Sequence, residues 1–260
     1  MTLLAGRRGL VVGVSSERSL GFHCVKRLLS DGAEVACTYR PSHRRPELID
    51  RLTQMGCRHA LPLEVSEPGS IETTLQQLGA AWGRLDFVVH TLVHVPQGVL
   101  REPLTSLGRE TFADVLAVGV HSLVELCRHA TPLLAASDSA SVVTLTSESS
   151  HLATPNYHVV GISKAALEAA VRYLAFELGP QGITVNAVSA PAIPTAGADA
   201  AVGAEVMSRT QAHVGKHNMT RRPVSEDDAA AAVAFLASPM ARQVTGQVLV
   251  VDGGYSGLYV

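Results

Sequence analysis

Short runs of branched apolar residues alternate along this chain with longer stretches in which apolar positions recur every three or four residues. The first kind of run predicts strands at Gly9–Val14, Glu34–Tyr39, Arg58–Leu63, Asp86–Leu92, Ser141–Thr146, Thr184–Ser189 and Gln247–Val251. The second predicts helices near Leu20–Ser30, Pro46–Met55, Ser70–Trp82, Gly108–Ala136, Tyr157–Leu178 and Glu226–Leu236. Strands that are apolar throughout need cover on both faces, and alternation with helices supplies it, so the pattern implies an α/β chain with a parallel sheet. Ser225-x-x-Asp228 reads as a helix start with side-chain caps. No internal repeat or low-complexity linker divides the chain, which predicts one domain over residues 1–260.

Pro191–Val224 interrupts the alternation. It is rich in Ala, Gly, Thr and His and follows the sixth strand. An excursion beyond a strand's carboxyl end is where a doubly wound fold keeps a substrate lid, and a plain surface insertion is the alternative.

Composition narrows the function classes. With 47% hydrophobic residues and 17% charged, the chain can build a large core, but aromatics at 4% leave packing to Val, Leu and Ala. A net charge of −2 gives no long-range attraction to nucleic acid or anionic lipid. Arg7-Arg8, Arg44-Arg45 and Arg221-Arg222 are too short and scattered to bind a polyanion. Cys24, Cys37, Cys57 and Cys127 show no Cys-x-x-Cys spacing and read as buried thiols of a reducing compartment. No signal-peptide pattern opens the chain and no apolar run approaches ~18 residues, so a cytoplasmic protein without a membrane span is expected.

Candidate chemistry centres on Tyr157 and Lys164, seven residues apart on one expected helix. At this spacing both side chains share a face roughly 10 Å apart along the axis. A phenol donor and a fixed cation so placed can serve a developing oxyanion and the sugar of a cofactor together, and the ammonium should favour any partly ionised phenol. After the first strand, the loop Gly13–Gly21, with Ser15, Ser19 and Leu20, feeds a helix N-terminus. Exposed N–H groups there suit a pyrophosphate, or form an ordinary strand-to-helix turn, since strict Gly-x-Gly-x-x-Gly is absent. Arg40 ends the second strand, with Arg44 and Arg45 following. An arginine at that tip suits a 2′-phosphate, so NADPH is expected over NADH, against a solvated basic loop. Glu64-Val65 ends the third strand and would face the adenine, or cap the structure. His213-x-x-x-His217 and the pair His90, His94 supply too few converging ligands for zinc, and no metal is expected.

Together these residues resemble the short-chain dehydrogenase/reductase family, and within it the divergent branch of bacterial enoyl-acyl-carrier-protein reductases. The resemblance spans nearly the whole chain. Its most specific parts are Pro155-Asn156-Tyr157 through Lys164, Val185–Ser189, Thr245-Gly246-Gln247 and Val251-Asp252-Gly253-Gly254. The parent family puts its tyrosine four residues before the lysine, where Val160 stands, whereas the enoyl reductase branch puts it seven before, at Tyr157.

The resemblance implies a single doubly wound Rossmann-like domain with strand order 3-2-1-4-5-6-7. It implies NAD(P)H-dependent reduction of an α,β-unsaturated acyl thioester in fatty acid or natural-product biosynthesis, carried by an acyl carrier protein or coenzyme A, by a homotetramer or homodimer. Lys164 would hold the nicotinamide ribose, and Tyr157 the enolate oxygen. Ser147, at the parent family's catalytic serine, would donate to the substrate carbonyl or merely cap its strand. Leu92, Ile193 and Thr195 would border the cofactor, and Val95 the substrate.

Three residues depart from the family's pattern. Val93 and Pro191 stand where glycine is usual, and Gly119 replaces the parent family's asparagine. A branched side chain at 93 would crowd the cofactor. These departures motivate the rival readings: a non-redox cyclase, isomerase or binder on this scaffold and, disfavoured by Val160, a carbonyl reductase.

Overall fold

A computed structural model describes residues 2–43 and 45–258; Arg44 of the expected basic tip falls outside them. Seven strands, β1 (Arg8–Val12), β2 (Glu34–Tyr39), β3 (His59–Pro62), β4 (Phe87–His90), β5 (Ala140–Thr146), β6 (Ile183–Ser189) and β7 (Val248–Val250), form one sheet. Every pairing is parallel and the order is β3-β2-β1-β4-β5-β6-β7. The helices are α1 (Leu20–Ser30), α2 (Pro46–Gln54), α3 (Ser70–Trp82), α4 (Arg109–Leu116), α5 (Ser122–Leu134), α6 (His158–Leu178), α7 (Ala196–Val202), α8 (Ala204–His217) and α9 (Glu226–Leu236).

The period of two along each strand divides the core into two layers. Leu10 and Val12 of β1 face Leu75 and Leu78 of α3, Leu123 and Leu126 of α5, and Leu167 and Val171 of α6. Val11, between them, faces the opposite layer with Val25 and Leu28 of α1 and Val233 and Ala234 of α9. Both faces are therefore apolar and covered. Strand order reverses between β1 and β4, and this switch point opens a crevice at the carboxyl ends of the strands. Among the described residues no helix is long and apolar enough to cross a membrane.

One expectation is corrected. The helix expected over 108–136 is broken: α4 ends at Leu116, a π-helical turn occupies Ala117–His121, and α5 begins at Ser122. The cause is local packing against α6. Gly119 packs closely on the Ser163 hydroxyl of α6, and Ser122 Oγ donates to the Val118 carbonyl at 2.6 Å. The segment Pro191–Val224, read as a lid or a surface insertion, holds α7 and α8. Thr195 caps α7 by accepting from the Ala198 N–H at 3.1 Å, and Gly203, at φ 100°, separates the two helices. Buried Asn218 then ties the segment's end to the Arg222 carbonyl at 2.7 Å and the Asp252 carbonyl at 3.4 Å.

Candidate active site

The crevice is built first by glycine. Gly13 leaves β1 at φ 103°, and a Cβ there would lie 2.7 Å from Leu92 and 2.9 Å from Thr91 Oγ1 at the tip of β4. Thr91 Oγ1 donates to the Val12 carbonyl at 2.8 Å and pins the two strand tips together. Ser19 caps α1, accepting from the Phe22 N–H at 3.3 Å and donating to the Ser16 carbonyl at 2.6 Å. Leu20 opens the helix, and Ser15 is exposed on the loop. The Ser16 hydroxyl is buried with no hydrogen-bond partner. A turn with glycines at its two ends, an orphaned hydroxyl and a helix N-terminus together fit the pyrophosphate of a dinucleotide.

At the tips of β2 and β3, Arg40 is committed to a neighbour. Its Nε donates to Glu64 at 2.5 Å. Burial alone would raise the Glu64 carboxyl, but bonds from Arg40 and Ser66 outweigh it and hold the group below the usual carboxylate range. Val65 packs against the core beside this pair.

Tyr157 is the N-cap residue of α6, one position before its first helical residue, and follows Asn156 at a positive φ of 56°. It packs on the buried cluster Leu100, Val115, Val159 and Val160, as Val95 does. Burial first, and the charge of Glu148 second, push the phenol up to about 12. The expected favouring of an ionised phenol by Lys164 is thus overturned, because desolvation of the anion and a neighbouring acid prevail. Lys164 is 8% exposed, and its Nζ donates to the Leu145 carbonyl at 2.8 Å. Burial lowers this ammonium to about 8, with Glu168 opposing. Behind it, His90 ends β4 with Nδ1 2.8 Å from Thr144 Oγ1 and Nε2 2.9 Å from Ser122 Oγ. Burial, then the Lys164 charge, lower His90 to about 3, so its imidazole is neutral.

Ser147 follows β5, its Oγ 2.6 Å from Ser149 Oγ. Ile193 is buried beyond β6 and Thr195 caps α7, both on the same carboxyl-end side as the crevice. Val93 is 49% exposed, so its isopropyl group lies at the surface and not in the core. His213 and His217 stack with ring centroids 4.1 Å apart, and no three potential metal ligands converge among the described residues.

Two features lay beyond sequence reasoning. Arg18, in the loop after β1, donates to Asp199 of α7 at 2.7 Å and to the Pro194 carbonyl at 3.3 Å. This clasp joins residues 181 positions apart. The second is Glu148, whose Oε2 is buried without a partner beside Tyr157.

A sequence profile described as "Enoyl-(Acyl carrier protein) reductase" matches residues 13–256. The chain belongs to the enoyl-acyl-carrier-protein reductase family. A relative from Rhizobium meliloti (strain 1021), "Enoyl-[acyl-carrier-protein] reductase [NADH] 2", is 34% identical over 255 residues, covering 98% of this chain and 93% of the relative. The enoyl-[acyl-carrier-protein] reductase [NADH] of Nostoc sp. (strain PCC 7120) is 36% identical over 258 residues, 98% of each chain. The crystal structure of the Anaplasma phagocytophilum reductase in complex with NAD superposes with a TM-score of 0.90 at 30% identity, covering 99% of this chain and 95% of that one.

These family members correct the cofactor expectation. Both sequence relatives carry NADH in their names and the structural neighbour holds NAD, so NADH and not NADPH is indicated. The physical reason is at hand in Arg40, whose guanidinium is engaged by the Glu64 carboxylate.

Proposed function

We propose that this chain is an oxidoreductase that uses NADH to reduce the carbon–carbon double bond of an α,β-unsaturated acyl thioester. The observation that carries this reading is the position of the phenol. Tyr157 sits seven residues before Lys164 and packs against the same buried cluster as Val95, while Val160, at the parent family's tyrosine position, is a core residue 1% exposed. Val160 has no proton to give a ketone oxygen.

NADH, when bound, supplies a hydride to the β-carbon. The chain's own residues then have the following tasks. The loop Gly13–Gly21 cradles the pyrophosphate with backbone N–H groups, the orphaned Ser16 hydroxyl and the N-terminus of α1. Glu64 and Val65 border the adenine, and Leu92, Ile193 and Thr195 the nicotinamide and phosphates. Lys164 holds its ammonium towards the ribose hydroxyls from a buried position. Tyr157, kept protonated by burial, donates to the thioester oxygen as negative charge gathers there. Such support is commonly worth a few kcal/mol, or ~10²–10³ in rate. When Ser149 is the donor of the Ser147–Ser149 bond, the Ser147 proton is left for the same oxygen.

The acyl group is delivered by a carrier protein or coenzyme A, and α7 with α8 closes over it as a lid tied by Arg18 and Asp199. The working form is a homotetramer or homodimer. Tyr173 and Phe176 of α6 are 77% and 84% exposed in the single chain, an apolar pair that association would cover.

Tyr157→Phe is the test. With NADH and crotonyl-CoA, followed by absorbance of the reduced nicotinamide, kcat should fall ~10²–10³-fold while NADH binding stays nearly unchanged. Full enoyl reduction by the variant, or reduction of ketones only, would overturn the reading.

A further inference from the structure

Lys164 and Glu168 stand four residues apart on α6, so both side chains leave the helix on one face, with Cβ atoms about 6 Å apart. That face meets β5, and the two side chains take hold of the strand at neighbouring points. Lys164 Nζ donates to the Leu145 carbonyl at 2.8 Å, and Glu168 Oε1 accepts from Thr146 Oγ1 at 2.7 Å. The Leu145 carbonyl and the Thr146 nitrogen belong to one peptide unit, so the ammonium and the carboxylate are anchored to the same short piece of strand. Thr146 and Lys164 are buried, at 5% and 8% exposure, whereas Glu168 is only half-buried. The carboxylate thus keeps part of its hydration and lends its charge to a cation that has lost its own.

The other titratable groups around α6 do not take this part. β5 and β6, the strands on which α6 packs, carry no titratable side chain. From β4 comes His90, held between Thr144 and Ser122 and neutral, so it adds no charge. Tyr157, at the start of the helix, is kept protonated by burial. The π-helical turn brings His121, largely exposed and 4.0 Å from Glu125. Glu148, in the turn after β5, answers to Asp252 and His151. Burial lowers the Lys164 ammonium to about 8, and the Glu168 charge works against that lowering.

We propose that Glu168 is a positioning residue for Lys164: it grips the strand segment that anchors the ammonium and supplies the counter-charge that keeps the lysine a cation in its buried seat. The inference deepens the enoyl reductase reading, in which Lys164 holds the nicotinamide ribose, and rests on it.

The chain has three lysines, Lys26, Lys164 and Lys216, so labelling the lysine ε carbon with 13C gives three signals, and Lys164→Ala assigns the buried one. In the wild type this signal should titrate at about 8. In Glu168→Gln, whose amide oxygen still accepts from Thr146, it should titrate about one pH unit lower, the size expected of one charge ~6 Å away at an effective dielectric between protein and water. Glu168→Asp, which keeps the charge, should restore most of that shift. Glu177→Gln removes the same charge ~20 Å farther along α6 and should cause none. The alkaline limb of kcat/KM, measured with NADH and crotonyl-CoA, should move with the signal. A Lys164 signal that titrates alike in the wild type and Glu168→Gln overturns the inference, as does a limb that stays fixed while the signal moves. Absence of enoyl turnover in the wild type refutes the functional reading instead, and the lysine titration, which needs no turnover, still decides whether Glu168 holds the cation.

Discussion

Glu64→Gln should convert the adenosine end of the crevice towards NADPH without harming the fold. In the wild type the Arg40 guanidinium donates to Glu64 at 2.5 Å, with the two side chains 43% and 20% exposed. A pair this wet contributes at most ~1 kcal/mol to stability, so the variant should melt close to the wild type. A 2′-phosphate meets two obstacles in the wild type. It must draw Arg40 away from its partner, at a cost of up to ~1 kcal/mol. It must also sit beside the Glu64 carboxylate, where two charges about 6 Å apart at an effective dielectric between protein surface and water repel by roughly 1 kcal/mol. Glutamine removes both, and a gain near 2 kcal/mol is about thirtyfold in NADPH affinity. NADH, lacking the phosphate, should change by less than about threefold on the same reasoning. Fluorescence titration of each reduced nucleotide against both proteins measures this directly. An unchanged NADPH affinity in the variant, or a wild type that binds NADPH more tightly than NADH, would refute the argument.

Lys164 sets a pH limit. Its ammonium is lowered to about 8 by burial, so the cation is present below that pH and kcat/KM should fall as pH rises through it. Stability has the opposite sign: the unfolded chain keeps this proton up to 10.5, so the lysine's contribution to folding grows with pH between about 8 and 10.5, as thermal melts should register. On α6, replacing Tyr173 and Phe176 together by serine should lower the particle mass in light scattering and leave the circular dichroism of the fold unchanged; an unaltered mass would place the subunit contacts elsewhere.

Where the sequence carried a local signal, it located elements closely. β2, α1, α3 and α9 begin and end at the residues the apolar pattern indicates, and Ser225 with Asp228 forms the expected reciprocal cap, Ser225 N–H to Asp228 at 2.8 Å and Asp228 N–H to Ser225 at 3.3 Å. The failures share a cause. The break at Gly119 depends on Ser163, 44 positions on, and nothing within Gly108–Ala136 announces it. α7 lies in a stretch of Ala and Gly, and it is held by an Arg18–Asp199 contact that only folding creates. In the site, Tyr157 and Lys164 were picked out by their spacing on one expected helix, but Tyr157 stands at the N-cap of α6, outside its helical turns, so the spacing alone does not set a common face. The engagement of Arg40 by Glu64 was not legible, because it links two strand tips 24 residues apart. Residue type alone made Arg40 a phosphate ligand, and its neighbour makes it half of an ion pair.

The three departures from the family's pattern look different once placed in the fold. Pro191 follows Ala190, whose N–H donates to the Thr146 carbonyl at 3.3 Å. That is where β6 leaves its ladder with β5, so a residue without an N–H removes no bond there. Gly119 lies in the π-helical turn, where a Cβ would press on the Ser163 hydroxyl and oblige that side chain to turn away. The polar contacts behind Lys164 are made by His90, Thr144 and Ser122. Val93 is the departure with the clearest bearing on the cofactor. It is Leu92, not Val93, that closes on Gly13 where β1 and β4 end, while Val93 is half exposed. A side chain turned to solvent leaves the contact between those two strand tips undisturbed.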